Sequence, residues 1–544
     1  MNLLPRRWLS WLAIAGVAVA AVGLVSLVGP TRPAPTLTPP AFAQGREPVK
    51  APDFTGAKDW LNTAKPLSMK DLRGKVVILD FWTLCCINCI HVLPDLDKLE
   101  KKYPNQLVVI GVHSPKFDNE KETASIKKAI LRYEVKHPVV NDADHKIWNA
   151  YEVNAWPTVY VIDPEGNVVG RASGEGNFDV LDKAVANLIE VHRKKKTLNE
   201  KPIDFELVKE QAGPLFFPGK VLADAKSNRL FIADSTHHRI VVTDLSGKKI
   251  AVAGVGTPGK ADGAFDKASF NDPQGMALKG DTLYVADRKN HLIRALDLKA
   301  MTVKTIAGTG EQGQDREGGG TGLKTALNSP WALYLVGNDL YIAMAGHHQI
   351  WALDLVKDVC ARYAGDGAEN IKDGQLLRSR FAQPSGLASD GKNLFVADSE
   401  VSAIRSVPLG GKGQVSTLVG SGLFTFGDVD GQGDDVRIQH ALGVEFVDGK
   451  LYVADTYNSK VKVIDPEKRT CVTFVGNKKE DTFSEPAGLS HANGKLYVAD
   501  TNAHRIRVVD LKTKEVTTLA LTGVEAPKKA VEAPKKSDET PKKP

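Results

Sequence analysis

The chain has 544 residues, 42% hydrophobic and 25% charged, with a formal net charge of +6. Such a length exceeds one ordinary domain, and the composition is globular, so two or three packed domains are expected. The charge is small for the length and no basic stripe interleaves with aromatics, which argues against nucleic-acid binding. Five cysteines, three of them clustered, exclude a disulfide framework.

Arg6 and Arg7 precede an apolar run over residues 8–28. At 1.5 Å rise per residue this run spans about 31 Å, the thickness of a bilayer's hydrocarbon core. The sequence therefore predicts a signal anchor with its positive end inside and the rest of the chain exported to the periplasmic or extracytoplasmic side. Ala41-Phe42-Ala43 offers a cleavage site that would instead release a secreted or periplasmic protein after Ala43. Residues 29–50, rich in Pro, Ala and Thr, read as a linker.

Residues 51–195 alternate strand and helix signals, the pattern of an α/β domain. A buried strand is predicted over 76–82, a helix over 91–103, a second buried strand over 107–113, and a charged helical segment over 120–133. Ala155-Trp156-Pro157-Thr158 then leads into a strand at 159–162, and a final helix covers 180–193. The first strand runs directly into Cys85-Cys86-Ile87-Asn88-Cys89. A buried strand feeding a C-x-x-C at a helix start is a redox arrangement, because free N–H groups and the helix dipole favour a thiolate there. Zinc would need two further ligands, and no paired Cys or His lies nearby in sequence. Cys360 and Cys471 read as buried small hydrophobes.

After a linker over 196–215, residues 216–523 repeat. The segments beginning at Leu230, Leu283, Leu340, Leu394, Leu451 and Leu496 share an apolar run ending Ala-Asp or, in the third, Ala-Met. The period is about 45–57 residues, and each unit offers four short strands with turns between them, so six propeller blades are predicted. The recurrent histidines His238, His291, His348 and His504 occupy one place in each unit and are expected to make a repeated structural hydrogen bond; Ser402 and Ser459 replace them in the fourth and fifth. The recurrent aspartates read as turn formers. Residues 205–208 are either linker or an outer strand of the last blade. The tail over 524–544, rich in Lys and Pro, reads as disordered.

The Ala-Asp-x-x-x-His-x-Ile pattern resembles the NHL-repeat family. Asp80-Phe81-Trp82, the Cys86–Cys89 pair and Trp156-Pro157-Thr158 resemble thioredoxin-like proteins. The two domains in this order resemble the NHL repeat-containing protein 2 family. The thioredoxin resemblance implies a cis bond before Pro157, which faces the dithiol and positions substrate backbone. It also implies that Asp80 is a buried acid that takes the proton of the resolving thiol. Cys85 stands where thioredoxins usually have Trp; it either packs as a small residue or resolves an alternative mixed disulfide. Trp82, Trp156 and Thr158 complete the expected site.

The expected fold is thus a thioredoxin-like α/β domain followed by an all-β six-bladed NHL propeller. The expected function is an exported, membrane-tethered thiol–disulfide oxidoreductase. Cys86 is its nucleophile and Cys89 its resolver, with a protein disulfide or dithiol as substrate and the propeller as protein-binding module. A reducing direction would require a transmembrane reductant as partner. No cofactor, metal or nucleic acid is called for. The alternatives are a propeller scaffold with a redox-inert thioredoxin-like domain, or a propeller-centred hydrolase or lyase.

Overall fold

The structure, a computed structural model, describes residues 36–39, 47–476 and 482–527. The anchor at 8–28, the cleavage site at 41–43 and most of the Lys/Pro tail lie outside these residues. The expected transmembrane, periplasmic placement is not borne out by the structure. Among the described residues no helix is long and apolar enough to cross a membrane. The two longest have 16 and 17 residues and carry a charged face, whereas a span needs about 20 apolar ones.

The first domain contains β1 (Asp59–Leu61), β2 (Val76–Trp82), α1 (Ile87–Lys102), β3 (Leu107–His113), α2 (Thr123–Tyr133), β4 (Val139–Asn141), α3 (Lys146–Ala150), β5 (Thr158–Ile162), β6 (Val168–Ser173) and α4 (Phe178–Lys194). The sheet order is β1-β4-β3-β2-β5-β6, with β2, β3 and β4 mutually parallel. Every residue of β2 and β3 is buried, as near-continuous apolar runs in a sheet covered on both faces should be. Alternation divides their side chains. Val77, Leu79 and Phe81 join one core with Tyr151 and Tyr160; Val76 and Ile78 join the other with Leu96 of α1 and Val185 of α4. The chain therefore leaves β2 at a fixed height and angle, and the cysteines begin there.

The second domain is a ring of six antiparallel sheets. Each has the four expected strands, and the middle four blades add a short outermost strand at Gly263–Ala264, Gly318–Thr321, Gly374–Gln375 and Gly431–Gln432. Pro486–Ala492 of the last blade packs on Pro218–Asp224 of the first, closing the ring. Residues 205–208 form no strand. The Val208 N–H instead donates to Asn62 Oδ1 at 2.9 Å, and Phe205 packs on the first domain's core, so this stretch is linker. The outer edge of the first blade is extended from the other end of the chain, where Thr522 O accepts the Lys249 N–H and the Thr522 N–H donates to Gly247 O, each at 3.0 Å.

The repeated residues are latches. Nδ1 of His238, His291, His348 and His504 accepts the N–H of Asp272, Ser329, Gln383 and Phe217 on the following blade, at 3.2, 2.9, 3.1 and 3.0 Å. Ser402 and Ser459 do the same with Oγ, to His440 and Glu485. The repeated aspartates do more than form turns. Asp234, Asp287, Asp398, Asp455 and Asp500 each accept an N–H from the loop that enters their blade's inner strand. Each also faces a basic side chain: Arg239, Arg294, Arg405, Lys462 and Arg505 respectively. In the third blade Met344 replaces Asp, and the cation is lost with it: Trp351 and Gln349 bond to each other instead.

Candidate functional site

Cys86 is the N-cap of α1, and its Sγ accepts the Cys89 N–H at 3.4 Å. It is half-buried, whereas Cys85 and Cys89 are buried, and all five cysteines are free thiols. Among the three clustered cysteines, access therefore favours Cys86. Burial, the hydrogen bond to Cys86 and the Asp80 carboxylate all push the Cys89 thiol far above its ordinary range. Asp80 is fully buried on β2 with both carboxylate oxygens unpartnered. Burial raises its pKa to about 7, with His137 pulling weakly the other way. A carboxyl held there exchanges protons at neutral pH.

The Trp156–Pro157 bond is cis. The pairing of Phe81 with Thr158 brings Pro157 to the end of β2 from which the cysteines follow. Pro157 is buried, its carbonyl accepting the Gly174 N–H at 2.9 Å, and Thr158 Oγ1 donates to Ala155 O at 2.8 Å. Trp156 lies against Trp148 at 4.6 Å between ring centroids and packs on the apolar cluster that contains Cys85, Cys89 and Trp82. The eight expected site residues thus gather around one end of β2, with Cys85 facing away from solvent. Its N–H donates to Glu120 Oε1 at 3.1 Å, and burial with the Glu120 and Glu400 charges drives its thiol pKa far up.

Sequence alone did not reveal where this end of β2 points. It docks on the propeller. Ile87, the first residue between the paired cysteines, is buried against Trp331, Ala345, Leu442 and Ala487 from three different blades. Around it runs a ring of residues, one per blade, each with positive φ: Phe217, Asp272, Ser329, Gln383, His440 and Glu485. These are the residues the His and Ser latches hold. Five of them meet the first domain directly, Phe217 through its ring, which lies under the Lys128 ammonium at 5.9 Å. Ser329 Oγ pairs with His91 Nε2 at 2.7 Å, and Glu485 accepts from Asn119 Nδ2 at 2.9 Å. The His440 ring lies 5.3 Å from that of Phe117, and Gln383 bonds to the backbone on either side of Cys86. A buried ion pair, Lys116 with Glu400, adds to the joint. Beside α1 a cleft of about 510 Å³ separates the domains, lined by His91, Lys98, Arg288 and His291 among others; neither Cys86 nor Cys89 lines it.

A family model described as thioredoxin-like matches residues 74–168, and one described as NHL repeat matches residues 270–296 and 483–509. NHL repeat-containing protein 2 of Homo sapiens is 44% identical over 487 residues, covering 81% of this chain and 67% of that protein. The chain belongs to the NHL repeat-containing protein 2 family. It spans about two thirds of that relative's length. In this family member both halves also align with a plant protein. Protein SUPPRESSOR OF QUENCHING 1, chloroplastic, of Arabidopsis thaliana is 45% identical over 470 residues, 81% of this chain and 44% of that protein. The first domain by itself is similar to thiol-disulfide oxidoreductase YkuV of Bacillus subtilis (strain 168), 29% identical over 145 residues, 26% of this chain and 95% of that protein.

Proposed function

We propose that this family member exchanges thiols and disulfides with protein substrates at Cys86 and Cys89, with the propeller as the module that holds the dithiol and receives a protein partner. The observation that supports it most is the seat of Cys86: the accessible thiol at a helix N-terminus, its sulfur on the Cys89 N–H, in the same buried end of β2 as an unpartnered acid.

In the reducing direction the Cys86 thiolate attacks a substrate disulfide. A Cys86–substrate S–S bond forms, and the second substrate sulfur leaves as a thiolate that takes a proton from water. Asp80 then accepts the Cys89 proton, and the Cys89 thiolate attacks Cys86 Sγ. The substrate's first sulfur leaves and is protonated in turn. Two electrons have passed to the substrate, and Cys86–Cys89 is a disulfide. An external dithiol restores it, and the reverse sequence oxidises a substrate dithiol. Pro157 and Trp156, gathered at the same end of β2, orient the substrate segment.

Reduction of insulin driven by dithiothreitol tests the reading in the full chain. Cys86→Ser should abolish catalysis over the dithiothreitol background, and Cys85→Ser should retain it. Equal rates for wild type and Cys86→Ser would leave the second reading, a scaffold without redox chemistry. The depth at which the propeller covers Cys85 and Ile87 supports that alternative.

A further inference from the structure

Gln383 comes from the propeller, 294 positions beyond Cys89 in the chain, yet it makes the closest polar contacts to the C-x-x-C backbone. Its Oε1 accepts the Ile87 N–H at 2.7 Å, and its Nε2 donates to Cys85 O at 2.9 Å. One partner is a donor and the other an acceptor, so only one orientation of the carboxamide satisfies both. The residue is 0% exposed. Its backbone is clamped at both ends: the N–H is held by His348 Nδ1 at 3.1 Å, and the carbonyl accepts from the hydroxyls of Ser385 and Ser399, each at 2.8 Å. Its φ is +62°, in the left-handed region it shares with the other five ring positions. Nothing in the propeller's own packing requires a carboxamide here, because the other five blades carry Phe217, Asp272, Ser329, His440 and Glu485 at the same place.

The consequence is electrostatic. The first N–H groups of α1 have no intrahelical acceptor and are what a thiolate at the N-cap would draw on. One of them, from Cys89, is aimed at Cys86 Sγ. Another, from Ile87, is occupied by the negative end of the Gln383 amide dipole. Gln383 thereby cancels the first N–H dipole of the helix, one residue after Cys86, while its Nε2 end is taken up by Cys85 O. The cancelled N–H dipole weakens the positive end of α1 and acts against the thiolate, and so against the reduced, ionised form of the pair.

We propose that Gln383 is a positioning residue through which the propeller sets the reduction potential of the Cys86–Cys89 pair, holding it more reducing than the thioredoxin-like domain's own helix would. This rests on the thiol–disulfide reading above. By linkage, any partner that loosens the propeller from α1 makes the pair a stronger oxidant.

The test is a redox titration of the full chain against glutathione buffers, counting Cys86 and Cys89 by thiol trapping and mass, in wild type, Gln383→Leu and Gln383→Glu. Leu is apolar and frees the Ile87 N–H. The equilibrium constant should move about tenfold toward the reduced form, a rise of about 30 mV for a two-electron couple. Alkylation of Cys86 at pH 6 should accelerate in parallel. Glu is isosteric and keeps the acceptor but adds negative charge, so the potential should fall. Opposite displacements are a signature that loss of packing alone does not produce, and the Glu variant keeps the proposal testable if Leu does not fold. Equilibrium constants that stay within threefold of wild type, or potentials that move the same way in both variants, overturn the role of Gln383 while leaving the oxidoreductase reading intact. A wild type with no reversible transition overturns both.

Discussion

Ile87 of the first domain and Trp331 of the propeller lie in one buried apolar cluster at the junction of the two domains. One of the two residues that separate the paired cysteines is thus part of the domain joint, and redox chemistry at Cys86 and docking of the propeller involve the same few ångströms of backbone. Replacing Ile87 by Ala removes buried methyl groups from a site whose walls belong to three blades, at a cost of about 2–5 kcal/mol of docking energy. The exposed linker around residues 202–213 should then be cut faster by protease than in wild type, with a lower thermal midpoint. Unchanged cleavage would mean that the polar ring, and not Ile87, holds the domains together.

Asp80 carries a pH prediction with a definite sign. Burial lifts its folded pKa to about 7, against about 3.9 in an unfolded chain. The folded protein therefore binds the extra proton between those values, and this contribution to stability is fully present below about pH 4 and lost as pH rises through about 7. Asp80→Asn, a neutral stand-in, should raise the thermal midpoint at pH 8, by up to about 4 kcal/mol of stability, with the advantage vanishing near pH 4. The same variant should lengthen the life of the mixed disulfide with substrate, because Cys89 has lost its proton acceptor. A stability difference independent of pH would show that Asp80 stays ionised and is not the proton carrier.

The His and Ser latches predict an asymmetric pair of substitutions. His348→Ala leaves the buried Gln383 N–H unpaired and should cost about 1–3 kcal/mol. His348→Ser copies Ser402, which holds the His440 N–H with Oγ at 3.2 Å from the same left-handed backbone, and should cost about half as much or less. Chemical denaturation of the three proteins measures this; equal costs for Ala and Ser would remove the latch.

Much of this was legible in the chain because the signals are local. The strand at 76–82, apolar but for Asp80 and abutting the cysteines, and the recurring Leu-x-x-Ala-Asp units depend only on neighbours in sequence, and they marked Cys86, Cys89 and the six blades. The outermost strands escaped notice because most are only two residues long and rich in glycine. The ring that grips the first domain escaped for a different reason. Its members share a backbone conformation and differ in side chain, so Phe217, Asp272, Ser329, Gln383, His440 and Glu485 show no common residue type. Ser402 and Ser459 looked like departures from the repeat, yet each offers an acceptor at the height where its neighbours offer Nδ1. Membrane placement was read from residues 8–28 by length and hydropathy alone, and the helices of the described residues supply no span.

The most direct test of the central claim is whether the full-length wild-type protein passes through a reversible transition in which Cys86 and Cys89 together gain and lose two electrons. Equilibration against graded glutathione buffers, followed by thiol trapping and mass measurement, reads it. The account predicts one two-thiol transition, unaffected by Cys85→Ser and abolished by either Cys86→Ser or Cys89→Ser. Thiols or a disulfide that persist unchanged across the whole range of buffers would contradict it.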